Sequence, residues 1–279
     1  MALFSDIFLV ADYDRTSTDY LGQIPEKNVE AIRWFMDNGG AFAICTGRSY
    51  PQSTDILQGI PMNAPFICYN GALAIRDGKI LSQNPIELPM EATLREVCKA
   101  FPDLNVDLHG LDAHVGFQPV GCWETYYAAR NCNYCLASPG RDYGPFLKFN
   151  VYGELRDDSF YQAYSGTPEE IARVDEAEAW FRDTYGDQLT VFRSGARVLN
   201  VHAPGVSKLR TAREVQKHLG RKLLVCVGDA GNDLPMLEGA DFAFCPSDGT
   251  VADRFPNTCP CGEGAIADVI YNKLPEILK

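Results

Sequence analysis

Polar residues of catalytic type follow three apolar segments of the chain. Ile7–Ala11 leads into Asp12-Tyr13-Asp14-Arg15-Thr16, Ala41–Cys45 into Thr46-Gly47-Arg48, and Leu223–Val227 into Gly228-Asp229-Ala230-Gly231-Asn232-Asp233. Asp12 and Asp14, two apart on an extended chain, point the same way. With Asp229 they put three carboxylates in one pocket, which self-repulsion opposes unless a cation sits among them. Oxygen ligands make Mg²⁺ the natural cation. A carboxylate beside Mg²⁺ is a competent nucleophile toward phosphorus, and a second one two residues on can shuttle the leaving-group proton. Thr46 and the backbone N–H groups of the turn after it can hold phosphoryl oxygens. Chemistry of this kind also needs a lysine to offset the charge of nucleophile and phosphate together.

Such clusters require a scaffold that brings three strand ends to one place. Ile7–Ala11 is a continuous apolar run of the kind buried on both faces of a parallel sheet. Val29, Ile32, Phe35 and Met36 recur at helical spacing between Pro25 and Asn38, with Gly39-Gly40 as a stop. Ala41–Cys45 is the next strand, Ser49–Gln58 a short helix and Phe66–Tyr69 a third strand. This alternation argues for an α/β sheet with right-handed crossovers, and in such sheets ligands bind outside the carboxyl ends of the strands. Asn70-Gly71 and Asp77-Gly78 are hairpin signals on either side of a short strand. From about Asn84 to His202 the pattern is mixed: a helical stretch at Met90–Phe101, an aromatic and glycine-rich region, a strand at Phe146–Tyr152, and a helix opened by the capping box Thr167-Pro168-Glu169-Glu170. Leu189–Arg193 and Arg197–His202 read as strands. Alternation resumes with the helix Ser207–Leu219, the strand Leu223–Val227 and the helix Leu234–Gly239. The simplest organisation is one α/β core, residues 1–83 and 204–279, split by an inserted domain, 84–203.

Composition narrows the partners. Lys+Arg number 25 and Asp+Glu 37, a formal net charge of −12 over 279 residues. Such a chain repels nucleic acid and anionic membrane surfaces, so a phosphate-bearing ligand must be held by local positive charge. No apolar run approaches the roughly 20 residues that span a bilayer, and Met1–Asp6 has no basic signal-peptide region. The ten cysteines are sparse, and the pairs Cys132/Cys135 and Cys259/Cys261 have mismatched spacing for a structural zinc site. Free thiols and a cytoplasmic location are expected, with a small phosphorylated molecule as partner and a monomer or weak homodimer as the assembly. His109, His114, His202 and His218 have no ligand spacing and read as surface or satisfied residues.

Taken in order, Asp12-x-Asp14-x-Thr16, Thr46-Gly47-Arg48, Gly205-Val206-Ser207-Lys208 and Gly228-Asp229-x-x-Asn232-Asp233 resemble the four motifs of the haloacid dehalogenase-like superfamily. Their spacing, the large insertion before the lysine, Asn70-Gly71-Ala72 and Gly262-Glu263-Gly264-Ala265-Ile266-Ala267 resemble its Cof-type phosphatases. The resemblance implies a Rossmann-like parallel-sheet core with an inserted α/β (α+β) cap domain. It implies Asp12 as the nucleophile that forms an aspartyl-phosphate, Asp14 as general acid/base, and Thr46 and Lys208 as phosphoryl ligands, with Gly47 and Arg48 at the same turn. Mg²⁺ would be held by Asp12, the Asp14 backbone carbonyl and Asp229, supported by Asp233 and Asn232. The implied activity is hydrolysis of a small metabolite phosphate, a sugar phosphate by resemblance. A phosphomutase and a non-catalytic metabolite-binding regulator are the alternatives. One departure is Arg15, where the family usually has glycine, whose backbone freedom arginine lacks.

Overall fold

The computed structural model describes residues 2–117, 121–129, 132–138, 140–153 and 166–278. In chain order its strands are β1 (Ile7–Ala11), β2 (Ala41–Ile44), β3 (Phe66–Cys68), β4 (Leu73–Arg76), β5 (Lys79–Gln83), β6 (Asn105–Gly110), β7 (Ala113–Gly116), β8 (Asn133–Leu136), β9 (Phe146–Tyr152), β10 (Thr190–Arg193), β11 (Val198–His202), β12 (Leu223–Val227), β13 (Phe242–Pro246) and β14 (Asn257–Thr258). The chain divides into two compact units. Unit 1 comprises Met1–Gly47, Asp55–Ser82 and Ser207–Lys279, and unit 2 comprises Arg48–Thr54 and Gln83–Val206.

Unit 1 is built on a parallel sheet in the order β14-β13-β12-β1-β2. A parallel bridge from Cys45 to Ile67 carries the pairing on to β3. Every residue of β1 and β2 is buried, as expected of apolar runs covered by helices on both faces. Helix Glu26–Asp37 buries Ala31, Ile32 and Phe35. Ala212 and Val215 of helix Lys208–His218 join Phe8, Val10, Leu224 and Cys226 in the core. Each large aliphatic side chain so buried contributes about 1.5–3 kcal/mol. β1 has β2 on one side and β12 on the other, so the strand order reverses around it, and its carboxyl end is where a crevice opens in such sheets. The expected hairpins exist: β3 and β4 pair antiparallel, and Asp77 and Gly78, with φ of 50° and 74°, make the left-handed turn into β5.

Unit 2 contains a six-stranded sheet in the order β10-β11-β9-β6-β7-β8, antiparallel except for β7–β8. One face is apolar: Val106, Leu108, Phe149, Val151, Leu199 and Val201 are buried, and Phe149 packs on Phe181 of helix Pro168–Tyr185. That helix opens with the expected capping box, Thr167 and Glu170 bonding each other's backbone N–H. The other face carries Asp107, His109, His114, Lys148, Asn150, Asn200 and His202, all of them buried as well.

These polar groups bond one another in part, leaving Asp107 Oδ1, His109 Nδ1 and His114 Nδ1 buried without a hydrogen-bond partner among the described residues. Asp107 Oδ2 lies 2.7 Å from His109 Nε2 and accepts from the Tyr127 hydroxyl. Asn150 Nδ2 lies 2.9 Å from His109 Nε2, and Asn200 donates to Asn150 at 2.9 Å. Ser49 Oγ, from the short segment that joins this unit, lies 2.8 Å from His114 Nε2. Three of the four histidines are therefore interior, and only His218 is exposed. Among the described residues no helix is long and apolar enough to cross a membrane.

Candidate active site

The parallel register delivers the carboxylates. Ala11 pairs with Val227, and the Asp12 N–H donates to the Val227 carbonyl at 2.9 Å, so Asp12 and Asp229 leave adjacent strand ends. On the other side of β1, Cys45 N–H donates to Ala11 O at 2.8 Å, placing buried Thr46 at the next strand end. Beyond β12 the chain makes a 3-10 turn, Gly231–Asp233. Asp233 Oδ2 accepts from the N–H groups of Asp229 and Ala230, both at 3.1 Å, which turns its other oxygen inward.

Carboxylate oxygens of Asp12, Asp229 and Asp233 lie within 4.8 Å of one another, and all three residues are buried. Lys208, only 1% exposed at the first turn of its helix, donates from Nζ to Asp12 Oδ1 at 2.6 Å and to Asp233 Oδ1 at 2.7 Å. Thr16 donates to Asp229 at 3.0 Å, and Ser17 to the Asp12 carbonyl at 2.6 Å. The third carboxylate of the cluster is thus Asp233. Asp14 is half-buried, because the chain leaves the extended conformation after Ala11 and turns: the N–H groups of Ser17 and Thr18 both return to Tyr13 O. Asn232 is half-buried in the 3-10 turn, Gly47 half-buried beside Thr46, and Arg48 is the first residue of the segment that belongs to unit 2.

Burial and charge crowding shift the protonation equilibria of these groups. Burial, then Asp233 and Asp14, push the Asp12 carboxyl up to about 7 against the opposing pull of Lys208. Burial and its acidic neighbours hold the Asp229 carboxyl well above its ordinary value. Burial disfavours the Lys208 ammonium, but Asp12 and Asp233 outweigh it and hold the amine above its usual value. When all are ionised, three carboxylates and one ammonium carry two net negative charges, which a divalent cation would neutralise. The donors are all hard oxygens, so the residues fit such an ion.

Arg15 takes up the left-handed backbone that glycine would supply, with φ of 57°. Its N–H donates to Thr18 Oγ1 at 3.2 Å, and its guanidinium lies over the Tyr20 ring at 5.1 Å. A left-handed non-glycine residue costs about 1–2 kcal/mol, and an exposed cation–π contact returns about 0.5–1 kcal/mol of that. Arg15→Gly is therefore expected to stay within about 1 kcal/mol of the parent in urea unfolding, and Arg15→Val, β-branched at the same φ, to lose more than that. Equal midpoints for the two variants would contradict a strained turn.

Residues 9–251 match the haloacid dehalogenase-like hydrolase family. The chain is 22% identical over 228 residues to the 5-amino-6-(5-phospho-D-ribitylamino)uracil phosphatase of Escherichia coli, covering 81% of this chain and 76% of that protein. A haloacid dehalogenase-like hydrolase from Bacteroides thetaiotaomicron has a similar fold, with a TM-score of 0.76 at 17% identity over 94% of this chain and 97% of that one. A subclass IIB sugar phosphatase of the same superfamily has a TM-score of 0.74 at 19% identity, covering 97% and 99%. The ordered motifs, the reversal of strand order at β1 and a match across most of the chain agree: the protein belongs to the haloacid dehalogenase-like hydrolase family.

Proposed function

We propose that the protein is a cytoplasmic Mg²⁺-dependent phosphatase that hydrolyses a small phosphorylated metabolite, of the sugar phosphate class, through an aspartyl-phosphate on Asp12. The observation that carries the reading is the buried convergence of Asp12, Asp229 and Asp233 on Lys208. Asp12, the Asp14 carbonyl and Asp229 would hold the ion, with Asp233 in support. Bound there, Mg²⁺ supplies positive charge that lets nucleophile and phosphate approach.

An Asp12 oxygen attacks phosphorus; the Oδ–P bond forms as the ester P–O bond breaks, and the departing oxygen takes a proton from Asp14. Asp14 then removes a proton from the water that attacks the acyl phosphate, which releases inorganic phosphate and regenerates Asp12. Half-burial suits Asp14 to exchange protons, and full burial suits Asp12 to attack without a hydration shell. Thr46, Gly47, Asn232 and Lys208 supply donors for the phosphoryl oxygens. The sugar phosphate class draws support from the two phosphatases named above, one of a phospho-ribityl compound and one of sugar phosphates. The nine cysteines whose side chains are described are free, which suits a reducing compartment.

Metal removal and a substrate panel test the reading together. Chelator-treated protein is expected to release no phosphate from sugar and polyol phosphates, and added Mg²⁺ to restore release. Ca²⁺ should restore it poorly, because its looser shell relaxes the octahedral alignment. Full activity in chelator would remove the metal from the reaction. Isomer exchange without phosphate release would make the enzyme a mutase.

A further inference from the structure

The turn between β3 and β4 is more strained than a hairpin needs. Tyr69, Asn70 and Gly71 have φ of 52°, 53° and 98° in succession, and all three are buried. The next reversal, at Asp77 and Gly78, is made with two left-handed residues on the surface. Tyr69 carries a penalty of about 1–2 kcal/mol, and Asn70, whose side chain tolerates this region, a smaller one, so contacts around the turn must hold it in place.

Those contacts lie on two segments of the candidate site. Asn70 N–H donates to the Thr46 carbonyl at 3.0 Å, and a Cβ on Gly47 would stand 2.8 Å from Asn70 Oδ1. On its other side, a Cβ on Gly71 would stand 2.3 Å from the Ser207 carbonyl oxygen and 3.2 Å from Lys208 N. The Gly71 carbonyl accepts from Thr211 Oγ1 at 2.6 Å, one helical turn after Lys208. The turn is thus wedged between the Thr46-Gly47 peptide and the start of the lysine helix.

We propose that Asn70 and Gly71 are positioning residues that set the spacing between Thr46 and Lys208, and so between the hydroxyl and the ammonium that receive a phosphoryl group. The proposal rests on the phosphatase reading above. Gly71→Ala meets backbone and can prevent folding, so the Thr211 tie is the decisive handle. Thr211→Val keeps the shape and removes the donor. It is expected to lower kcat by about tenfold, a 1.4 kcal/mol rise in the barrier, to raise KM and weaken inhibition by inorganic phosphate together, and to lower the melting temperature modestly, because the buried Gly71 carbonyl loses its donor. Thr211→Ser, which restores the hydroxyl, should recover both kcat and phosphate inhibition. A Thr211→Val enzyme with parental kcat, or a loss that Thr211→Ser does not recover, overturns the proposal. A parent protein that neither hydrolyses any ester nor binds inorganic phosphate in Mg²⁺ defeats the phosphatase reading, and the proposal with it. An active parent with an indifferent Thr211→Val defeats the positioning role alone.

Discussion

Asp12→Asn is expected to lower turnover by more than about 10³-fold, a barrier increase of about 4 kcal/mol, while the fold persists. The amide cannot form the acyl phosphate, and no neighbour can substitute. Asp229 is bonded by Thr16, and Asp233 is spent on two backbone N–H groups and Lys208. Stability should survive because the substitution also removes a charge that Asp233 and Asp14 repel. Lys208 keeps its contact with Asp233. Phosphate release together with a thermal melt in metal-free buffer checks both halves. Near-parental hydrolysis would take the nucleophile role away from Asp12.

Acid is expected to act on the two units with opposite sign in metal-free protein. In unit 2, burial and the nearby Lys148 push His202 down to about 3 and hold His109 well below its usual value. Burial and His109 do the same to His114. An unfolded chain takes up these protons as pH falls below about 6.5, and the folded one refuses them. The stability they represent is complete above about 6.5 and is lost on the way down toward about 3. Asp107, raised by burial, works the other way and offsets part of this loss. In unit 1, Asp12 and Asp229 have raised values, so the folded form holds protons that the unfolded chain releases, and acidification favours it. Calorimetry of chelated protein at pH about 7.5 and about 5 should show one transition moving down steeply and the other not. His202→Gln should flatten the slope of the transition that moves. Two transitions falling together would sink the argument.

The core was legible because its chemistry is local. Strands such as Ile7–Ala11 and Leu223–Val227 are apolar on both faces, and the residues that end them are the site residues. The β6–β7 hairpin went unread for the opposite reason. Val106 and Leu108 alternate with Asp107 and His109, a pattern that reads as a strand with one wet face. The polar face is buried, against partners such as Asn150 that lie far along the chain. That alternation was the available signal, and the aromatic residues after it masked it. Asp233 is a similar case. Spacing along the chain pairs Asp12 with Asp14, whereas Asp233 enters the reading only through the resemblance of its motif, because it is the bend after β12 that brings its carboxylate onto Lys208. The Arg48–Thr54 segment joins unit 2 through contacts that local periodicity does not encode.

The pairing of β1 with β12 also orders events at the ribosome. Roughly 210 residues separate Ala11 from Leu223, so at about 5–20 residues per second β1 waits about 10–40 s for its partner. Both segments of unit 2 emerge in that interval, and the unit that interrupts the chain can close before the one that begins it. Until then β1 offers a bare, apolar parallel edge, a template for pairing with other chains. It also carries Asp12 without Lys208, the cation that will share its burial. The nascent protein is therefore most vulnerable to association while its inserted unit is already complete, and release from that state coincides with assembly of the site.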